Sequence, residues 1–312
     1  MGDPKKETKD VTTVDTGTPS TRFTSMVMRE YQGAVSSGVA MDAYRQKLAQ
    51  HLFVKIDMAL KDAEIKRLSS DKGGTPYSWA NVNLSKLALD AVHRVELGLD
   101  GLIPNHISPI AYKNARTGKY DIDLRIGYAG KDYYYRPLAL YPIQDIIYEL
   151  VYANDVFTVF KKGYGKNVES YNFEISDPFN RGEVVGGFGY VVYEDPTKNK
   201  LTILSTADFT KAKNAAQSKD FWNKHPEAMQ YKTIVHRSVS HIVLDPRKIS
   251  ESFAQVESEE LKDLDRIASY EAQGEIDENA NNGEVIDIDP PEIELQEIIE
   301  PENQPQTVGP DF

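Results

Sequence analysis

The sequence predicts an α+β protein, a mostly antiparallel sheet flanked by long helices, with a loose N-terminal arm and an acidic C-terminal tail. Three observations carry this reading. Helix-period segments come first, strand-period segments follow with connections too short for parallel crossovers, and helix-period segments then return. The boundaries expected are an arm over 1–25, a core over 26–250 and a tail over 251–312.

Residues 1–20 are Thr, Asp, Lys, Gly and Pro around isolated valines, a composition that cannot offset the entropy of its own ordering. From Met41 to Leu68, Leu48, Leu52, Ile56, Met58, Leu60, Ile65 and Leu68 recur at mostly helical spacings with no internal Gly or Pro, which predicts a long helix. The run after it repeats the signal: Asn83 or Ser85 is the expected N-cap, Leu87, Ala91, Val95 and Leu99 form one stripe, and Gly98 and Gly101 can end it. Beyond Gly101 the period moves to two. Ile107–Tyr112 and Tyr120–Ile126 read as a hairpin, and the piece around Tyr133–Leu140 fits either strand or short helix. Further strands are expected at Ile143–Tyr152, Val156–Phe160, Val168–Ile175, Val184–Tyr193 and Leu201–Ser205. Helices then run from Ser205–Thr206 to Ala216 and from Pro226 to about Leu244.

The 312 residues carry a formal charge of −12, an average over two unlike parts. Residues 251–312 hold 19 acids and two bases, a net of −17, so the first 250 residues are +5. The tail reads as a solvating segment, as acidic-hydrophobic pieces that dock on a partner or on the protein's own basic surface, or as a small helical unit. No run approaches a membrane span and no secretory signal follows Met1, so a soluble intracellular chain is expected. Without cysteine there is no disulfide, thiolate zinc site or cysteine nucleophile.

No phosphate-binding glycine loop precedes a helix, and Gly186-Gly187-Phe188-Gly189 lies inside a strand pattern. His236 and His241, five residues apart, do not share a helix face as a ligand pair would. Asp121 and Asp123 share one face of a strand. That spacing suits a solvated strand, or Mg²⁺ in a metal-dependent nuclease, which remains an alternative beside an oligomeric structural or assembly protein. The stronger pattern is basic and aromatic. Ten bases and four acids lie between Lys198 and Lys248, and Arg125, Lys131, Arg136, Lys161, Lys162 and Lys166 form a second group among tyrosines. Bases neutralise phosphates and tyrosines stack on bases, although the same residues also serve solubility and core packing.

The run GLDGLIPNHISPIAYKN, then DLRIGYAG, then HPEAMQYKTIVHRSVSHIVLDP, resembles the RecT branch of the RecT and Redβ phage single-strand DNA annealing proteins over roughly residues 40–250. In that family an Ile-Gly-Tyr-x-Gly turn leads into a helix, here Ile126–Gly130, so the resemblance implies a helix at Tyr133. It implies a structural role for Asp155, Val156 and Phe157. It also implies that His236 stands where relatives carry the first of two arginines, leaving Arg237 as the strongest contact. The implied activity is ATP-independent binding of single-stranded DNA and annealing of complementary strands in recombination, by a ring or filament of copies and with no covalent catalytic step. Expected DNA contacts are Arg125, Tyr128, Lys131, Tyr133, Arg136, Lys211, Lys213, Lys232 and Arg237. Leu48, Leu52 and Ile56 are expected at the subunit interface. No cofactor is implied, Mg²⁺ acting only through the DNA or the annealing conditions. The tail would recruit the host single-strand-binding protein, in the cytoplasm of a bacterium carrying the phage or prophage.

Overall fold

A computed structural model describes residues 17–34, 40–70, 73–216 and 219–262, all within one unit of the chain. Three helices open it: α1 (Pro19–Ala34), α2 (Ala43–Ser69) and α3 (Leu84–Glu96). Asp42 caps α2, its carboxylate accepting from the Arg45 amide, and the 27-residue helix needs no internal breaker to hold its length. The apolar positions do the joining. Phe23 and Val27 of α1, Leu48, Leu52 and Ile56 of α2, and Leu87, Ala91 and Val95 of α3 are fully buried in one core.

This corrects two expectations. Residues 19–25, placed in the N-terminal arm by composition, begin a helix whose Phe23 is part of the core; the arm expected over 1–16 lies outside the described residues. Leu48, Leu52 and Ile56 are committed within the subunit, so they cannot form the surface of a contact between copies. The exposed side of α2 instead carries Val54, Met58, Ile65 and Leu68.

The strands β1 (Ile107–Lys113) and β2 (Tyr120–Ile126) pair antiparallel, with Ile122 and Leu124 turned to the core. A glycine-dependent corner follows. A β-carbon on Gly127 would overlap the Asn105 carbonyl, and one on Gly130 would stand 2.7 Å from the His106 carbonyl, so only glycine lets the chain turn tightly against residues 105–106 into α4 (Tyr128–Tyr135). The ambiguous segment is therefore helical up to Tyr135 and continues as a short 3₁₀ turn.

The remaining strands are β3 (Ile143–Tyr152), β4 (Asp155–Phe160), β5 (Ser170–Ile175), β6 (Val184–Tyr193) and β7 (Lys200–Ser205). All named pairings are antiparallel, but they make three small sheets, β1-β2, β3-β6-β7 and β4-β5, in place of one. Phe157 stacks on Phe188 with ring centroids 4.7 Å apart, joining the β4-β5 ribbon to the three-stranded sheet. Beside it, Asp155 accepts two hydrogen bonds from Arg181 at 2.7 and 3.1 Å, which is structural work.

Four helices follow: α5 (Thr206–Asn214), α6 (Asp220–Lys224), α7 (Pro226–Val239) and α8 (residues 251–262). Ser205 and Asp208 form a capping box at the start of α5. Helix α7 lies on the three-stranded sheet because β6 lacks side chains beneath it. A β-carbon at Gly189 would overlap the Ser238 hydroxyl, and one at Gly187 would overlap Ile234. The helix ends at Val239, short of the Leu244 expected, and residues 240–245 turn back so that the Asp245 amide reaches the Leu138 carbonyl at 2.9 Å. Helix α8 is the second boundary correction: its first residues were placed in the acidic tail, yet Phe253 and Val256 are buried in the main core. The tail expected over 263–312 lies outside the described residues. Among the described residues, no helix is long and apolar enough to cross a membrane.

Candidate nucleic-acid interface

One face of α7 (Ile234, Val235, Ser238, Val239) is spent on the sheet. The opposite face follows the same helical period with Met229, Lys232, Thr233, His236, Arg237 and Ser240, and it forms one wall of an open groove of about 590 Å³. Strand β2 supplies Asp123 and Arg125, which share a face through the two-residue period of the strand. Lys131 comes from the first turns of α4, Arg94 from the last turn of α3, and Ala212, Ala216 and the buried Trp222 add apolar surface. Five bases thus meet three acids, Asp123, Glu259 and Glu260, and two of those acids belong to α8.

The charges are held in different ways. Arg125 pairs with Asp123 at 3.1 Å and donates to the Tyr112 hydroxyl at 2.8 Å. Lys131 is buried, with Nζ 2.6 Å from Glu260 and 3.9 Å from Glu257, and it lies over the Tyr135 ring. Arg94, also buried, donates to the Leu124 and Asp90 carbonyls and places Nη2 2.6 Å from Glu259. Lys232 and Arg237 make no ion pair with any described residue. Burial, and then the nearby Arg125 guanidinium, lowers the Lys232 ammonium from its ordinary value. Burial, reinforced by Lys232 and Lys131, pushes the His236 imidazole down to about 3, so it is neutral at working pH. A neutral ring here accepts or donates one hydrogen bond but brings no charge to a phosphate.

Of the nine contacts named from the sequence, Arg125, Lys131, Lys232 and Arg237 converge on the groove. The others do not line it. Tyr128 accepts from Asn105 at 3.2 Å and meets Tyr231 edge-on. Tyr133, two residues and about 200° around α4 from Lys131, lies beside His106 with centroids 5.2 Å apart. Arg136 grips Asp132 through Nε and Nη2, one edge of its guanidinium, at 2.7–3.1 Å, and the Tyr148 hydroxyl donates to the same carboxylate. Lys211 and Lys213 ride on α5 beside the groove-lining Ala212. Arg94 was missed, although its position seven residues after Leu87 put a base on the buried stripe of α3, where it must have a partner.

The two aspartates considered for a metal have other work: Asp121 accepts from the Asn83 and Asn114 amides at 3.1 and 3.0 Å, and Asp123 from Arg125. Among the described residues, no three His, Asp or Glu side chains come together in a way that could hold an ion.

An open channel that sets Lys232 and Arg237, unpaired among the described residues, over apolar surface, on an α+β scaffold of helices around small antiparallel sheets, has a chemistry that suits a polyanion. A model of the RecT family matches residues 95–271, a span that includes β2, α4, α5, α6, α7 and α8 and begins just after the groove-lining Arg94. That is more than half of the chain, and the chain belongs to the RecT family, whose members are single-strand DNA annealing proteins and not covalent catalysts. No curated protein matches the sequence.

Proposed function

We propose that the groove between α7, β2 and α4 binds the backbone of single-stranded DNA and presents it to a complementary strand, annealing the two without ATP. The observation that carries this is the pair Lys232 and Arg237, set on one wall and in no ion pair with a described residue. Their charge removes the repulsion that opposes strand approach, and base pairing supplies both recognition and free energy, so the protein reads no sequence. Copies of the chain act together as a ring or filament, with the exposed Val54, Met58 and Ile65 side of α2 as one contact surface, and the acidic segment beyond α8 recruits the host single-strand-binding protein.

The test is annealing of two complementary labelled oligonucleotides in the absence of nucleotide triphosphate, with and without the protein, alongside electron-microscope images of the mixture. Accelerated pairing that the double charge reversal K232E/R237E abolishes is the expected result. Acceleration that survives the reversal would place the DNA elsewhere, and strand cleavage with Mg²⁺ would favour the nuclease alternative.

A further inference from the structure

The groove already holds anions, and they are the chain's own. Helix α8 enters through an apolar anchor: Phe253 packs between Tyr134 and Tyr135 at centroid distances of 6.0 and 5.6 Å, Val256 is buried, and Ser252 meets the buried His93 at 2.9 Å. The next turn then brings three carboxylates onto groups that line or underlie the groove. Glu257 accepts from the Tyr134 hydroxyl at 2.8 Å, Glu259 from Arg94 and Glu260 from Lys131, both at 2.6 Å.

We propose that Glu257, Glu259 and Glu260 occupy phosphate positions of the groove, so that single-stranded DNA enters by exchanging with the last turn of α8, and the chain thereby regulates its own DNA affinity. This rests on the reading of the groove as the single-strand site. The exchange is chemically even-handed. A phosphate offers Arg94 and Lys131 the charge of a carboxylate and acceptor oxygens of the same kind, so neither base is left buried and unpaired. The DNA gains by releasing condensed counterions, which an intramolecular carboxylate does not. Burial raises the Glu260 carboxyl above its ordinary value even with Lys131 against it. At the other end of the groove Lys232 and Arg237 make no ion pair with a described residue, and this end gives a strand its first hold. The anchor at Phe253 and Val256 can stay in place while the turn that follows it moves.

The experiment compares the full chain with E257Q/E259Q/E260Q, and with E174Q/E194Q/E251Q, which changes net charge equally at exposed positions. Affinity for a labelled oligothymidylate is measured for each, together with amide hydrogen exchange of residues 251–262 in the unaltered chain with and without the oligonucleotide. Neutralising the groove glutamates should tighten binding by about 10- to 100-fold, the factor by which a competent state populated at about 1–10 % weakens apparent affinity. The exposed set should have a far smaller effect, and DNA should speed exchange over 257–262. Equal affinities for the two triple variants, or exchange that slows or stays unchanged on binding, overturn the proposal, and the exchange arm decides even if the glutamine variant does not fold. If K232E/R237E weakens binding while the groove triple variant binds like the unaltered chain, this inference alone fails. If the reversal changes nothing, the groove reading fails and this inference with it.

Discussion

Removing Lys232 and Arg237 together, as K232A/R237A, tests the groove through the salt dependence of binding. Both side chains stand on the solvent-facing wall of α7 and neither is in an ion pair with a described residue, so each is available for one phosphate. For single strands each neutralised phosphate contributes about 0.7 to the slope of log affinity against log salt, so losing two contacts flattens the slope by about 1.4. Between about 50 and 200 mM salt the unaltered protein should therefore lose roughly sevenfold more affinity than the variant. The control is K198A/R247A, two bases from the same basic stretch of sequence. Lys198 lies over the Tyr141 ring at 4.9 Å and Arg247 pairs with Asp245 at 2.9 Å, so their loss should leave the slope nearly unchanged. Fluorescence anisotropy of a labelled oligothymidylate at several salt concentrations gives both slopes. Parallel lines for the unaltered protein and K232A/R237A, or an equal flattening in the control, would refute the assignment of these residues to phosphate.

Four further outcomes follow from particular contacts. Lys232 is lowered by burial and DNA binds its charged form, so affinity should fall on raising the pH before an ordinary lysine would titrate, and K232R should delay that fall; His236, neutral from about 3 upward, should give no inflection between pH 5 and 8, which pH titration of binding checks. G189A forces a methyl group into Ser238 and should cost about 1–3 kcal/mol in urea denaturation, with S238G recovering part of it; no loss would show that α7 does not sit this close to β6. L52A should cost about 2–5 kcal/mol because the side chain is fully buried, whereas M58D/I65D should leave the melting curve nearly unchanged and reduce the assembled mass in light scattering; unchanged mass would exclude this side of α2 as a subunit contact. Truncation after residue 262 removes a net charge of −14 and should change oligothymidylate affinity little at about 150 mM salt, while truncation after Glu257, which also removes Glu259 and Glu260, should raise it; the reverse order would mean that the distal charges act without docking.

The elements legible from sequence are those with one dominant period. The long run of α2, the hairpin β1-β2 and the glycine-rich β6 fall where alternation or helical spacing put them, because each buries one face. Tyr128–Tyr135 was not legible from period, since three consecutive tyrosines suit a strand as well as a helix. The decision is made by Gly127 and Gly130 against residues 105–106, a contact far away in sequence. The groove was half legible. A count of bases cannot separate Lys232, which is unpaired among the described residues, from Arg136, which Asp132 holds from four residues away, or from Lys161, which Glu169 holds. Spacing also misassigned the core of α2 to a partner, because an amphipathic stripe looks the same whether its own subunit or another covers it.

The same reasoning decides what the chain's net charge means. A total of −12 disfavours a nucleic-acid partner only if the charges act at long range, and screening at physiological salt cuts the field of an exposed charge within about 8 Å. Inside that radius the groove has Lys232 and Arg237 along the α7 wall with a neutral imidazole between them, while Arg125 is paired with Asp123 and Arg94 and Lys131 are matched by α8. Acids elsewhere in the chain can therefore influence a bound strand only by entering the groove. Their number is then a poor guide to their effect, and the three that α8 places in contact should outweigh the rest of the acidic segment, which the pair of truncations checks.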